Sequence, residues 1–111
     1  MAAGIFNFTI EQGATFSRQL TVSENNSALN LTGFTGAMQL RSNHESSTVA
    51  LSVTVAIVNA TEGLISISAS SSSTAALEEG IYVYDLEITS STGGVTRLLQ
   101  GEVTVSPEVT R

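Results

Sequence analysis

Leu51-Ser52-Val53-Thr54-Val55-Ala56-Ile57-Val58-Asn59-Ala60-Thr61-Glu62-Gly63-Leu64-Ile65-Ser66-Ile67-Ser68-Ala69 is the stretch that decides the fold class. Leu51, Val53, Val55 and Ile57 alternate with Ser52, Thr54 and Ala56, and Ile65, Ile67 and Ala69 share one face of the second run. Successive side chains of a strand point to opposite faces, so a period of two marks half-buried strands. Val and Ile, stiff at χ1, suit the pleated surface. Asn59 to Gly63 is a hairpin-length connection containing glycine, which predicts an antiparallel pair.

The same period recurs on both sides of this pair. Ile81-Tyr82-Val83-Tyr84-Asp85-Leu86-Glu87-Ile88 offers two faces, and the longer apolar set (Tyr82, Tyr84, Leu86, Ile88) is expected to face the core, leaving Asp85 and Glu87 in solvent. Ser90 to Gly94 reads as a hairpin loop, and Val95 to Ser106 as a long last strand ended by Pro107. Toward the N-terminus, Ile5 to Ile10 and Ala14 to Val22 read as two strands joined by the turn Glu11-Gln12-Gly13, with Phe6, Phe8 and Phe16 assigned to the core. Ala37 to Arg41 is a third strand, with Met38 and Leu40 on one face or split across a bulge. A serine-rich start, an Ala/Leu body and Gly80 predict one short helical turn near residues 72–78. The reading is an all-β, immunoglobulin-like antiparallel β-sandwich of about seven strands, in a single domain spanning 1–111. Tyr82, just after that helical turn and Gly80, is the candidate corner tyrosine of such a sandwich.

Composition narrows the function. The chain is 41% hydrophobic, enough for one core, and contains no cysteine, so neither a disulfide framework nor a thiolate site can form. Ten acidic residues against four arginines and no lysine give a net charge of −6, which leaves little to grip nucleic acid. The N-terminus lacks the basic and apolar regions of a secretory signal, which implies synthesis in a cytoplasm. Val49 to Val58 is about half the length of a membrane-spanning helix, so no membrane partner is expected. The Asn-x-Ser/Thr triplets at Asn7, Asn25, Asn30 and Asn59 are expected by chance in Ser/Thr-rich strands.

Reactive constellations are sparse. His44, the single histidine, sits in the polar loop Ser42 to Ser46 and reads as a solvated loop residue. Glu78-Glu79 lack a third ligand at calcium-loop spacing, Asp85 and Glu87 read as solvent-facing acids, and Gly93-Gly94 lacks the helix and lysine of a phosphate loop. Arg41, Arg97 and Arg111 are isolated cations, suited to cross-strand pairing or to an acidic partner. No catalytic, cofactor-binding or metal-ligating residue is assigned, and the chain is expected not to be an enzyme.

Three blocks carry a resemblance: Ile10-Glu11-Gln12-Gly13-Ala14-Thr15-Phe16, Leu31 to Arg41 (LTGFTGAMQLR), and Gly101 to Arg111 (GEVTVSPEVTR). Together they resemble small immunoglobulin-like structural domains of tailed bacteriophages and prophages, including the N-terminal domain of phage baseplate upper proteins. The resemblance implies a non-catalytic virion protein of the tail, baseplate or fibre-attachment region, made in the bacterial cytoplasm and located in the virion. Its implied partners are other phage structural proteins and possible further copies of itself, met through strand edges and termini. Capsid decoration and a carbohydrate-binding, adhesin-like module are the alternatives. The candidate partner contacts are Met1, Ala2, Ala3, Gly4 and Ile5 at one end and Pro107, Glu108, Val109, Thr110 and Arg111 at the other.

Overall fold

A computed structural model describes residues 4–24 and 27–109. The elements are β1 (Gly4–Ile5), β2 (Phe8–Glu11), β3 (Phe16–Thr21), β4 (Ser23–Glu24), β5 (Ser27–Ala28), β6 (Thr35–Arg41), β7 (Leu51–Asn59), β8 (Leu64–Ala69), α1 (Ser71–Ala75), β9 (Gly80–Thr89) and β10 (Val95–Ser106), with a 3-10 turn at Ala60–Glu62. Strand order is β1-β10-β9-β6-β7-β8-β3, with β2 also on β10, and β4 and β5 form a small separate hairpin.

One long strand turns this curled sheet into two layers. The first half of β7 pairs with β6 (Leu51 with Leu40, Val53 with Met38), and its second half pairs with β8 (Val55 with Ile67, Ile57 with Ile65). β7 thus leaves one layer and enters the other, and the alternating apolar set of both layers meets in between. Met38, Leu40, Leu86, Ile88, Val103 and Val105 from one layer join Phe16, Ile65, Ile67 and Ala69 from the other in a single buried cluster. The result is an all-β, immunoglobulin-like sandwich. Its pairs are antiparallel except at one edge, where β1 and β2 both run parallel to β10.

The faces of β9 follow the longer apolar set, with Tyr84, Leu86 and Ile88 buried and Ile81 exposed. Tyr82 Oη donates to the carbonyl of Glu78, four residues upstream, at 2.8 Å, the hydroxyl-to-backbone tie that defines a tyrosine corner. In β10 a bulge between Arg97 and Leu99 turns both Leu98 and Leu99 toward the core while Arg97 and Gln100 stay on the outer face. The helical turn lies at residues 71–75, earlier than the expected 72–78, because Ser70 takes the N-cap position and its hydroxyl accepts from Ser73 N–H. Thr74 in that turn is fully buried; its hydroxyl donates to Ala14 O at 2.8 Å and accepts from Gly13 N–H, tying α1 to the β2–β3 turn.

Phe6 departs from its expected place in the core, since it is 52% exposed and lies with its ring 4.8 Å from that of Phe8. The reason is a break in the edge strand. Ile5 pairs with Gln100 and Phe8 with Val103, so β1 and β2 keep one register along β10; Phe6 N–H still donates to Gln100 O at 3.0 Å, but the ladder is interrupted after it. The Asn7 side chain accepts from Glu102 N–H in place of the backbone, and the Phe6 carbonyl turns inward to accept from Tyr84 Oη at 2.6 Å. Gly101 permits this approach, because a Cβ there would strike the Phe6 carbonyl.

Gly63, with φ of 67°, closes the β7–β8 connection under Val22 and Leu29. Gly63→Ala combines a left-handed backbone with a methyl group against the Val22 and Leu29 carbonyls, and is expected to cost about 2 kcal/mol or more. A lower urea midpoint at unchanged slope checks it.

Burial pushes the Tyr84 phenol from the usual 10.0 up to about 12. The unfolded chain therefore ionises first, so the stabilisation is complete below pH 10 and is lost as pH rises toward 12. Urea unfolding across that window is expected to show a fall in stability that Tyr84→Phe flattens.

Candidate functional site

The outward face of the larger layer carries an in-register array of polar side chains. Three strands align there: Gln39 on β6 is opposite Asp85 on β9, which is opposite Gln100 on β10. Flanking this row, Arg41 pairs in register with Val83, and Glu87 with Arg97. With His44 from the β6–β7 loop, these residues line an open groove of about 340 Å³.

Arginines set the orientation of both amides. Arg41 Nη2 donates to Gln39 Oε1 at 3.0 Å and Nη1 to Ser46 O at 2.9 Å. Arg97 Nη1 donates to Gln100 Oε1 at 3.3 Å, and its Nε lies 3.5 Å from Asp85 Oδ2. Both members of that ion pair are substantially exposed, so it contributes only about 0–1 kcal/mol and serves mainly to orient. With each amide oxygen engaged, the amide N–H₂ groups of Gln39 and Gln100 are the ends left for a ligand, beside the acceptor oxygens of Asp85 and Glu87. The arrangement can donate and accept hydrogen bonds over a broad surface. It places no nucleophile beside a base.

The structure brings together residues that the sequence treated separately. Arg41, Arg97, Asp85, Glu87 and His44 share the groove, whereas Gln39 and Gln100 had no signal in sequence because only cross-strand register aligns them. Elsewhere, Glu78 and Glu79 lie in the loop before β9, and Ser90 to Gly94 close a turn through Ser90 N–H to Gly94 O. Gly4 and Ile5 form β1 on β10, with the Ile5 side chain exposed. Gln12 Oε1 accepts from Glu108 N–H, which fixes the start of the C-terminal segment after Pro107, while the Val109 side chain is exposed. Met1, Ala2, Ala3, Thr110 and Arg111 lie outside the described residues.

β3, which has no strand on its outer side among the described residues, is guarded against strand addition. Arg18 pairs with the buried Ile67, so its position lies on the core-facing side at the rim; its side chain stays exposed, with the guanidinium 5.0 Å over the Phe16 ring. An inward-placed charge on an edge strand opposes pairing with another chain, because that pairing would strip its water.

No family model matches the chain, and no curated protein matches it. Among solved structures 113 chains do. One is the crystal structure of CopC from Methylosinus trichosporium OB3b, which aligns over 94% of this chain and 89% of that one with a TM-score of 0.52 and 13% identity. At that identity the likeness establishes the sandwich fold alone. The functional expectation is corrected: the matching structure is CopC, and neither a family model nor a curated protein ties the chain to a phage tail, baseplate, fibre or capsid, or to an adhesin-like module. The physical reason lies in the blocks that carried the resemblance. Gly101 admits the Phe6 carbonyl, Met38 and Leu40 fill the core, and Gln12 and Gly13 hold the β2–β3 turn, so these residues specify the fold and not a role.

Arg18→Val is expected to increase self-association through the β3 edge, measured by sedimentation velocity. A variant as monomeric as the parent would contradict the guarding role.

Proposed function

We propose that this protein is a non-catalytic binding module whose working surface is the outer face of β6, β9 and β10. The observation that carries this reading is the in-register row Gln39–Asp85–Gln100, with each amide pre-oriented by an arginine. Side chains fixed before a ligand arrives lose less entropy when it binds. A polar, hydrogen-bonding ligand suits the groove, because its lining offers amides, guanidinium groups, carboxylates and the His44 imidazole, while the Tyr84 ring is buried beneath it.

Absence of catalysis is supported by the placement of the titratable groups. Asp85 and Glu87 stand two positions apart on an open sheet face, Asp85 is engaged by Arg97, and His44 sits on an exposed loop. A transition-metal site does not suit this chain's donors. The sequence has one histidine and no cysteine, Met38 is enclosed in the core, and no group of three or more His, Cys, Asp or Glu side chains gathers among the described residues.

A two-dimensional NMR titration with a panel of polar fragments tests the proposal. The side-chain amide signals of Gln39 and Gln100 are expected to shift together, and a Gln39→Ala/Gln100→Ala variant to lose about tenfold in affinity while keeping its fold. Shifts confined to other surfaces, or chemical turnover of a bound fragment, would overturn it.

A further inference from the structure

Two charges in the groove have no partner of opposite sign among the described residues. The Arg41 guanidinium is held by two neutral acceptors, Ser46 O and Gln39 Oε1, so it is fixed in place with its charge uncompensated. Glu87 stands opposite Arg97 in register, but Arg97 turns its Nε to Asp85. The sole ion pair among the described residues therefore occupies the middle of the groove, and one free cation and one free carboxylate remain toward its ends. In a chain of net charge −6, a preset and unneutralised arginine is a specific invitation to an anionic group.

Spacing narrows the ligand further. Arg41 is in register with Val83, four residues before Glu87 on β9, so the two charges are rooted about 13 Å apart along the strand direction. An extended peptide covers that span in four residues, and its side chains at i and i+4 project to the same side. Between the ends, the N–H₂ groups of Gln39 and Gln100 can meet peptide carbonyls, and the outer oxygens of Asp85 can meet peptide N–H groups.

Resting on the reading of this face as a binding surface, we infer that the groove takes an extended, unstructured segment of a partner protein. That segment carries an acidic side chain, which pairs with Arg41, and a basic side chain four residues away, which pairs with Glu87. The charge complementarity and the span select this occupant. Glycans are disfavoured because the groove exposes no Phe, Tyr or Trp ring, Tyr84 being buried, and a second sandwich adding its strand is disfavoured because the β3 edge carries Arg18.

Isothermal titration of the full chain with end-blocked Glu-Thr-Ser-Thr-Lys, its neutral counterpart Gln-Thr-Ser-Thr-Gln, and end-free penta-alanine tests the inference. The blocked charged peptide is expected to bind at least about tenfold more tightly than the neutral one, with affinity falling as salt rises. In Arg41→Gln, replacing the peptide's glutamate by glutamine is expected to have no further effect, and in Glu87→Gln the same holds for its lysine. Glu87 makes no tie to the fold, so its variant keeps the test meaningful if Arg41→Gln disturbs the Ser46 loop. Equal binding of the neutral peptide, or undiminished binding by both variants, would overturn the inference. Preference for end-free penta-alanine would overturn the protein-segment source in favour of free oligopeptides. If polar fragments bind the groove but the charged peptide does not, this inference fails and the binding-module reading stands; if nothing binds there, both fail.

Discussion

The period-two alternation of β9, held in one register between β6 and β10, is the constraint on which both core and groove depend. Its inward set, Tyr84, Leu86 and Ile88, forms the centre of one layer of the core, and its outward set, Val83, Asp85 and Glu87, forms the floor of the groove. A slip of one residue would bury two carboxylates and expose three large side chains, a change too costly for a domain whose net stability is of the order of 10 kcal/mol. The core thus fixes the register, and the register presents the polar row. A binding surface built on paired strands in this way has less freedom than one built on loops.

Without disulfides, closure of the sandwich relies on backbone pairing and a few buried polar ties. β7 joins the layers by pairing with both, Thr74 binds α1 to the β2–β3 turn, and Tyr84 reaches across 78 residues of sequence to the Phe6 carbonyl. The two sheet edges are handled differently. At β3 an inward charge discourages further pairing, and at β1–β2 the ladder is interrupted where the Asn7 side chain takes the place of the backbone. Both devices direct interaction away from the edges and toward the sheet face.

Much of this fold was legible in the sequence, because alternation encodes which side chains face inward. The β7–β8 hairpin, the faces of β9 and the position of Tyr82 follow from residue pattern alone. The switch of β7 between layers does not, since Leu51 to Ile57 alternate identically in both halves. The bulge at Leu98 and the exposure of Phe6 also escaped, as each depends on a partner strand distant in sequence. The groove was readable only in fragments: Arg41, Arg97, Asp85, Glu87 and His44 could be named, but nothing local aligns them or adds Gln39 and Gln100. The virion role drawn from the phage resemblance failed for a related reason, because residues that specify turns and close approaches recur wherever the fold does.

We propose the β9 outer face as a preset binding surface for an extended polar segment. A crystal structure of the chain with end-blocked Glu-Thr-Ser-Thr-Lys tests it most directly. The peptide is expected to lie along β9, its carboxylate on Arg41, its ammonium near Glu87, and Gln39 and Gln100 in the orientations they already hold. A peptide seated on the β3 edge or among the loops, or a groove that must rearrange its arginines to receive it, would contradict the account.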